Sequence, residues 1–596
     1  MSSEIDLEEE FARTRMTRAV FFRLIKYLKP YRRQVLWAMF GEMFWVISFN
    51  ATAHFFYKGL KSLEAGSYLG VQICALAMLF NAVFRMILVS LELKLIWQAG
   101  MHFLNDLRDD LFKHIHKLSM RYFDRTKEGR IIARVDRDVE CLEHAIVWGP
   151  LIFVSAIFSI IVASVLMAVY NWKLYLAVAA VLPVLGVTSH FFRKMGMAAY
   201  RRVRESMSIV TAFIAETVNG VRVLQGFSRQ HLHQKEFAKT ADKHADTVVH
   251  AAIIWNAYWP SINTCYALGM LVVLGYGGHM CLAGEMGYPA LVAYIMLVGM
   301  LFWPIEGLGE LYNASLSAAS GAERIFLLLD TEPEVIDAED AVDLDHIKGN
   351  LVFKDVDFAY DTNKRDEWSL RDISFEAKPG QTIALVGPTG AGKSSIVNLA
   401  ARFYEPLHGQ VTIDGYDSRK ITLRSLHSNM GIVLQENFLF TGTVMENLLY
   451  GNDQATEETA VQAVKDLGAY DILSDLNNGF DTEVKERGGG LSQGERQLIC
   501  FARAMIADPA ILVLDEATAS VDTHTELVLQ GALERLCQNR MTLIVAHRLS
   551  TIRQANQILV VVDGGIIERG THGELLAKEG RYHDMYQEFQ RKGVMV

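Results

Sequence analysis

The chain divides by its pattern of apolar and polar positions. Up to about residue 320, apolar runs long enough to cross a bilayer of ~30 Å alternate with stretches whose charged residues recur at helical spacing. From Leu351 onward the rhythm changes to short apolar runs of strand length, separated by glycine-bearing turns and amphipathic stretches. The first pattern predicts six spans, at about 35–60, 69–95, 145–170, 173–193, 252–278 and 289–312. Short turns join spans one and two, three and four ("YNWK") and five and six ("AGEMGY"). The other two connections are long, charged and helical, as if helices continued out of the membrane and returned. Their far ends are predicted within 122–140, with Gly129 as the break, and within 216–230, at Asn219 and Gly220.

Ahead of the first span, 21–33 places Phe and Leu on one side and Arg23, Lys26 and Lys29 on the other. That predicts a helix on the membrane surface, its basic face toward anionic head groups. Arginine and lysine in both long connections (Arg108, Lys113, Lys117, Arg121, Arg125 and Lys127; Arg193, Lys194, Arg201, Arg202 and Arg204) place these connections, both termini and the polar half in the cytoplasm. Glu42, Arg85, Glu306 and Glu310 fall inside the predicted spans, where a charge costs about 2.5–3.5 kcal/mol. At ~1.5 Å per residue the first three lie at similar depth, either as a structural ion pair or facing a substrate.

The polar half carries the chemistry. In "TIALVGPTGAGKSSIVNLAARF" an apolar strand runs into a glycine-rich loop and then a helix, the required setting for GxxxxGKS. Gly387, Pro388, Thr389, Gly390, Ala391, Gly392, Lys393, Ser394 and Ser395 form that loop. Its backbone N–H groups suit nucleotide phosphates, Lys393 the outer phosphates and the Ser394 hydroxyl Mg2+. "ILVLDEATASVD" is a buried-strand run ending in Asp515, a candidate for the Mg2+ shell, and Glu516, placed to polarise an attacking water. Gln435 ends another apolar strand and suits the metal or the water; His547 leaves a third, where an imidazole can meet a γ-phosphate. Tyr360 offers a ring on which adenine can stack.

Composition narrows the class. Over 596 residues, 51% are hydrophobic, too many for a soluble protein of this pattern, and the formal charge of −10 offers no basic domain for nucleic acid. The six cysteines form no CxxC pair and are expected as free thiols in a reducing compartment. The acidic N-terminus is not expected to be a signal peptide.

Together these motifs, in this order, resemble the ATP-binding cassette (ABC) transporters, specifically the exporter-type half-transporters. The resemblance covers nearly the whole chain. It implies a multi-domain fold: an all-α six-helix transmembrane domain (1–325), a linker (326–349) and an α/β P-loop ABC ATPase domain (350–596). It also assigns "LSQGE", with Ser492, Gln493, Gly494 and Glu495, as the signature loop, and Asp522 as part of the D-loop. The family's signature is usually LSGGQ, so Gln493 and Glu495 are departures. In the family, the signature loop closes over nucleotide held by another cassette. One cassette and six spans therefore imply a partner chain, with a homodimer favoured over a heterodimer. The resemblance further implies coupling helices at both loop tips, gripping the cassette near Gln435 and Glu486. The expected activity is ATP hydrolysis, with ATP and Mg2+, driving export or flipping of a hydrophobic or amphipathic drug or lipid across a bacterial inner or plasma membrane. Peptide or polysaccharide export, import by the same architecture and an ATP-gated channel are the alternatives. The spans exclude a soluble, DNA-moving ATPase.

Overall fold

In a computed structural model, residues 18–344, 346–361, 368–515, 523–546 and 549–591 are described. They form two compact units. The first comprises residues up to His114 together with Gly129–Asp330; the second comprises Ile115–Glu128 together with the chain from Thr331 onward.

The first unit is helical. It contains α1 (Arg18–Leu28), α2 (Arg32–Glu64), α3 (Tyr68–Ile115), α4 (Gly149–Ala179), α5 (Leu182–Asn219), α6 (Gln230–Val272) and α7 (Tyr288–Leu329). Among the described residues, five helical stretches are long and apolar enough to cross a membrane. The span expected at 173–193 is not a single helix. Its first part continues α4, the chain breaks at Ala180–Val181 ahead of Pro183, and the remainder opens α5. Proline at a first helical turn sacrifices no internal hydrogen bond, so the break falls where Pro183 is tolerated.

The turn expected at "YNWK" sits at Asn171, whose backbone is extended inside α4 (φ −164°, ψ 108°). Its side chain accepts from the N–H groups of Lys173 (3.0 Å) and Leu174 (3.2 Å), capping the helical turn that follows. Across this break, fully buried Tyr294 shares its one hydroxyl proton between the carbonyls of Met167 and Asn171, the latter at 2.5 Å. Buried Asn81 likewise donates to the Ser48 carbonyl (2.9 Å), tying α3 to α2 where no water can serve. On α3, Leu76, Leu79, Phe80, Met86 and Ile87 are all exposed, a surface for lipid to cover.

The surface helix differs from expectation. It spans Arg18–Leu28, and Pro30 lies in a separate tight turn before α2 starts at Arg32. Arg23 does not offer itself to head groups. Its guanidinium forks onto Asp330 at 2.6 and 2.9 Å and lies 4.2 Å from the centre of the Phe326 ring. Tyr27 and Tyr31 donate to Asp110 (2.9 Å) and Asp106 (2.7 Å), so α1 is held by α3 and α7.

The second unit is α/β. Strands β1 (Leu351–Phe358), β2 (Leu370–Ala377), β3 (Thr382–Val386), β4 (His408–Ile413), β5 (Met430–Val433), β6 (Ile511–Asp515), β7 (Met541–Val545), β8 (Gln557–Val562) and β9 (Gly565–Gly570) form its sheets. The larger has the order β9-β8-β3-β7-β6-β5, parallel except for β9. The apolar runs "TIALV", "ILVL" and "TLIV" are the strands buried on both faces, as parallel sheets require. A smaller antiparallel sheet pairs β1 with β2 and β4. All six cysteines are free thiols.

The first loop tip belongs to this second unit. It is the helix Met120–Arg125, ended by extended Thr126 (φ −112°, ψ 125°). The break is therefore at Thr126, and Gly129 lies inside the following helix Glu128–Val135. The other tip breaks as expected: α5 ends at Asn219, capped by Gly220.

Candidate functional site

Because β3, β5, β6 and β7 are parallel, their C-terminal ends reach one edge of the sheet, where such folds bind ligands. β3 runs into the glycine-rich loop, β5 leads to Gln435, β6 ends in Asp515, and β7 leads toward His547. Registers Val545↔Leu385, Val545↔Asp515 and Val433↔Leu514 set these ends level.

The loop needs its glycines. A Cβ on Gly387 would lie 2.0 Å from the Val561 carbonyl oxygen. Gly392 holds φ at +103°, and its Cβ would meet the Ser369 carbonyl oxygen at 2.7 Å. From Gly392 the chain turns directly into α8 (Lys393–Ala400), so its first N–H groups face the loop. Pro388, Thr389 and Gly390 form the exposed crest, while Ala391 and Ser395 are buried beneath it.

Lys393 is buried, and its ammonium donates to the carbonyls of Gly387 (2.8 Å) and Pro388 (2.9 Å). Burial pulls its pKa below the ordinary lysine value, and the nearby Asp515 carboxylate opposes that shift. The Ser394 hydroxyl donates to Asp515 Oδ2 at 3.3 Å. A hydroxyl and a carboxylate side by side are hard oxygen donors of the kind Mg2+ takes beside nucleotide phosphates, so the residues fit that ion.

Tyr360 is less free than an adenine platform need be. Its hydroxyl accepts from Ser395 Oγ and Asn398 Nδ2, both at 3.1 Å, and its ring meets Phe358 and Tyr404 edge to face. Its carbonyl accepts from Arg121, which also pairs with Glu334 at 2.5 Å and lies 5.4 Å from the Tyr404 ring centre. Tyr404 donates to Asp124 of the same loop helix, and burial with that carboxylate pushes the phenol far above its ordinary pKa. The first tip's contacts are thus with Tyr360 and Tyr404, together with a Glu128–Arg487 pair (2.9 Å) beside Glu486.

Ser492 is the exposed N-cap of α9 (Gln493–Ile506). The Glu495 N–H donates to its hydroxyl oxygen (3.2 Å), and its own N–H donates to Glu495 Oε2 (2.7 Å), a complete capping box. Gln493 is the first helical residue and is absent from the positive-φ positions, so no glycine is needed there; Gly494 is buried behind it. Glu516, Asp522 and His547 lie outside the described residues.

Within the first unit, Glu42 hydrogen-bonds Glu92 and Ser155, not Arg85, which lies 5.4 Å from the Phe49 ring centre. The side chains of Glu306 and Glu310 lie outside the described residues. Glu92, Arg121, Tyr404 and Gln497 carry no motif that marks them; partners in the fold single out the first three, and a buried cavity the fourth.

Residues 37–305 match the family described as ABC transporter transmembrane region, and residues 370–519 the family described as ABC transporter. The chain is 34% identical over 575 residues to an uncharacterized ABC transporter ATP-binding protein, YknV, of Bacillus subtilis (strain 168), covering 95% of this chain and 93% of that one. It is 33% identical over 489 residues to an ATP-dependent lipid A-core flippase of Syntrophus aciditrophicus (strain SB), covering 82% and 80%. It is 37% identical over 506 residues to YheH of Bacillus subtilis (strain 168), named as a probable multidrug resistance ABC transporter ATP-binding/permease protein, covering 82% and 74%. With a helical membrane region, a P-loop at a parallel sheet edge and relatives that match along both, the chain belongs to the ABC transporters, as an exporter-type half-transporter that couples ATP hydrolysis to transport.

Proposed function

We propose that two copies of this chain pair and move an amphipathic drug-like molecule or lipid out of the cytoplasmic leaflet by alternating access. The observation that carries the reading is the sheet edge where Lys393, Ser394 and Asp515 converge. There the loop N–H groups and Lys393 hold the phosphates of ATP, which bind in place of the loop carbonyls that Lys393 now contacts. Ser394 and Asp515, with Gln435, hold Mg2+, which when bound neutralises phosphate charge. Glu516 orients the attacking water and His547 contacts the terminal phosphate; Tyr360 and Asp522 border the nucleotide. Ser492, whose hydroxyl oxygen is occupied by the Glu495 N–H, keeps its own proton to donate to ATP held by the partner chain. Both termini and the ATPase unit lie in the cytoplasm of a bacterial cell.

A drug or lipid cargo is supported by what the relatives' names say of those proteins and by aromatic and Met side chains in the helical unit, which adapt to varied apolar shapes. The test is transport by the purified protein in lipid vesicles, with a fluorescent amphipathic dye and a head-group-labelled lipid as separate cargoes. ATP should drive redistribution of at least one, with ATPase stimulated by that cargo. ATPase that no amphipathic cargo stimulates, with no movement of either, would contradict the proposal.

A further inference from the structure

Gln497 is unused by the scheme above, yet it is one of the few polar side chains buried in the second unit. It lies on the inner side of α9, 5% exposed, and among the described residues its Oε1 has no hydrogen-bond partner. Buried amide oxygens in folded proteins are almost always satisfied, by protein or by an ordered water. A cavity of about 10 Å3 adjoins it, lined by Gln435, Asn437, Gln497 and Asp515 among apolar walls that include Val433 and Leu514. That is the volume of roughly one water, and the polar lining supplies the two to four partners that a buried water requires.

We propose that this cavity is a single-water site and that Gln497 is a positioning residue for ATP hydrolysis. The water donates to Gln497 Oε1 and to the Asp515 carboxylate, and accepts from an amide N–H of Gln435 or Asn437. Its hydrogen bonds then join three elements that sequence keeps apart: α9, the end of β6 and the segment after β5. The functional consequence rests on the pairing proposed above. Ser492, at the start of α9, serves the partner's ATP, whereas Asp515 and Gln435 serve the chain's own. A water held between them makes the two ATP sites mechanically continuous through one subunit, since a shift of α9 on meeting the partner's nucleotide is passed to the carboxylate at the chain's own site.

The test has two arms on the full-length protein in lipid. The first is an experimental structure of the wild type at a resolution that shows ordered waters. One water should lie within hydrogen-bond distance of Gln497 and of Asp515 or Gln435; a dry cavity, or one filled by a side chain, overturns the proposal. The second arm compares ATP hydrolysis by Gln497→Leu and Gln497→Asn. Leu fills the cavity and removes the amide, so kcat should fall about tenfold, as for the loss of other outer-shell partners. KM for ATP should stay within about twofold, because the phosphate contacts are intact. The thermal midpoint should not fall, which separates positioning from a merely structural role. Asn keeps an amide and leaves room for water, and should recover part of the lost rate. A Leu variant with wild-type kcat sinks the proposal; if that variant does not fold, the water arm decides alone. Wild-type protein without ATPase would instead be a failure of the functional reading, not of this site.

Discussion

Glu495 occupies the place where the family's signature usually has glutamine, and the structure gives the substitution a local reason. Either side chain can close a capping box on Ser492, and here Oε2 does so at 2.7 Å. The departure therefore preserves the helix start that presents Ser492. Gln493 is accommodated for a simpler cause: it lies where backbone angles are helical, so the freedom of glycine is not required. The carboxylate proposed to orient the attacking water should be less tolerant. Glu516 directly follows Asp515 at the end of β6, and Glu516→Gln keeps its shape while removing the basicity that orients water. The purified variant should retain bound ATP and lose at least about a hundredfold in phosphate release. Release near the wild-type rate would assign the water to another residue. The convergence of Lys393 and Ser394 with Asp515 was legible because the first two open the helix after a glycine-rich loop and the third ends a strand, in motifs whose spacing the phosphate chemistry dictates. Gln497 and Glu92 were not, because their significance lies in a cavity or a partner supplied by elements distant in sequence.

Among the elements, the buried parallel strands and most of the long apolar helices were readable from periodicity alone, but not the break that Pro183 marks inside the span expected at 173–193. The boundaries that sequence misplaced are set by contacts. Pro30 separates α1 from α2, yet α1 is held by Arg23 on Asp330 and by Tyr27 on Asp110 of α3, and the turn after it by Tyr31 on Asp106. The helix Met120–Arg125 was visible only as part of a charged loop, where Arg121 counted as one more cation. In the structure Arg121 is nearly buried, its ion pair with Glu334 supplemented by a bond to the Tyr360 carbonyl and the Tyr404 ring. Arg121→Ala should cost about 2–3 kcal/mol, below the value for a fully buried pair because Glu334 is half-exposed. The unfolding midpoint of the nucleotide-binding unit should drop by roughly 4–8 °C. Arg121→Lys should recover little, since an ammonium cannot serve a carboxylate, a carbonyl and a ring face in one plane. An unchanged midpoint in Arg121→Ala would show that the loop helix is held by its other contacts.

At the scale of the whole molecule, the chain carries one phosphate-binding loop and one signature loop, and the account requires them to meet across two copies. Two single variants test this directly: Ser492→Arg in one chain and Lys393→Ala in the other, each with its own affinity tag. Each variant homodimer should be nearly inactive, because every site has lost one side. In purified mixed dimers both lesions fall on the same site, leaving the other with native Lys393 and native Ser492. ATPase activity should return, toward half the wild-type rate where the sites turn over independently. The control is a chain carrying both substitutions, paired with wild type; that combination spoils both sites if the loops act across the dimer. Activity in the control together with none in the mixed dimers would show that each signature loop serves its own chain, and would contradict the account.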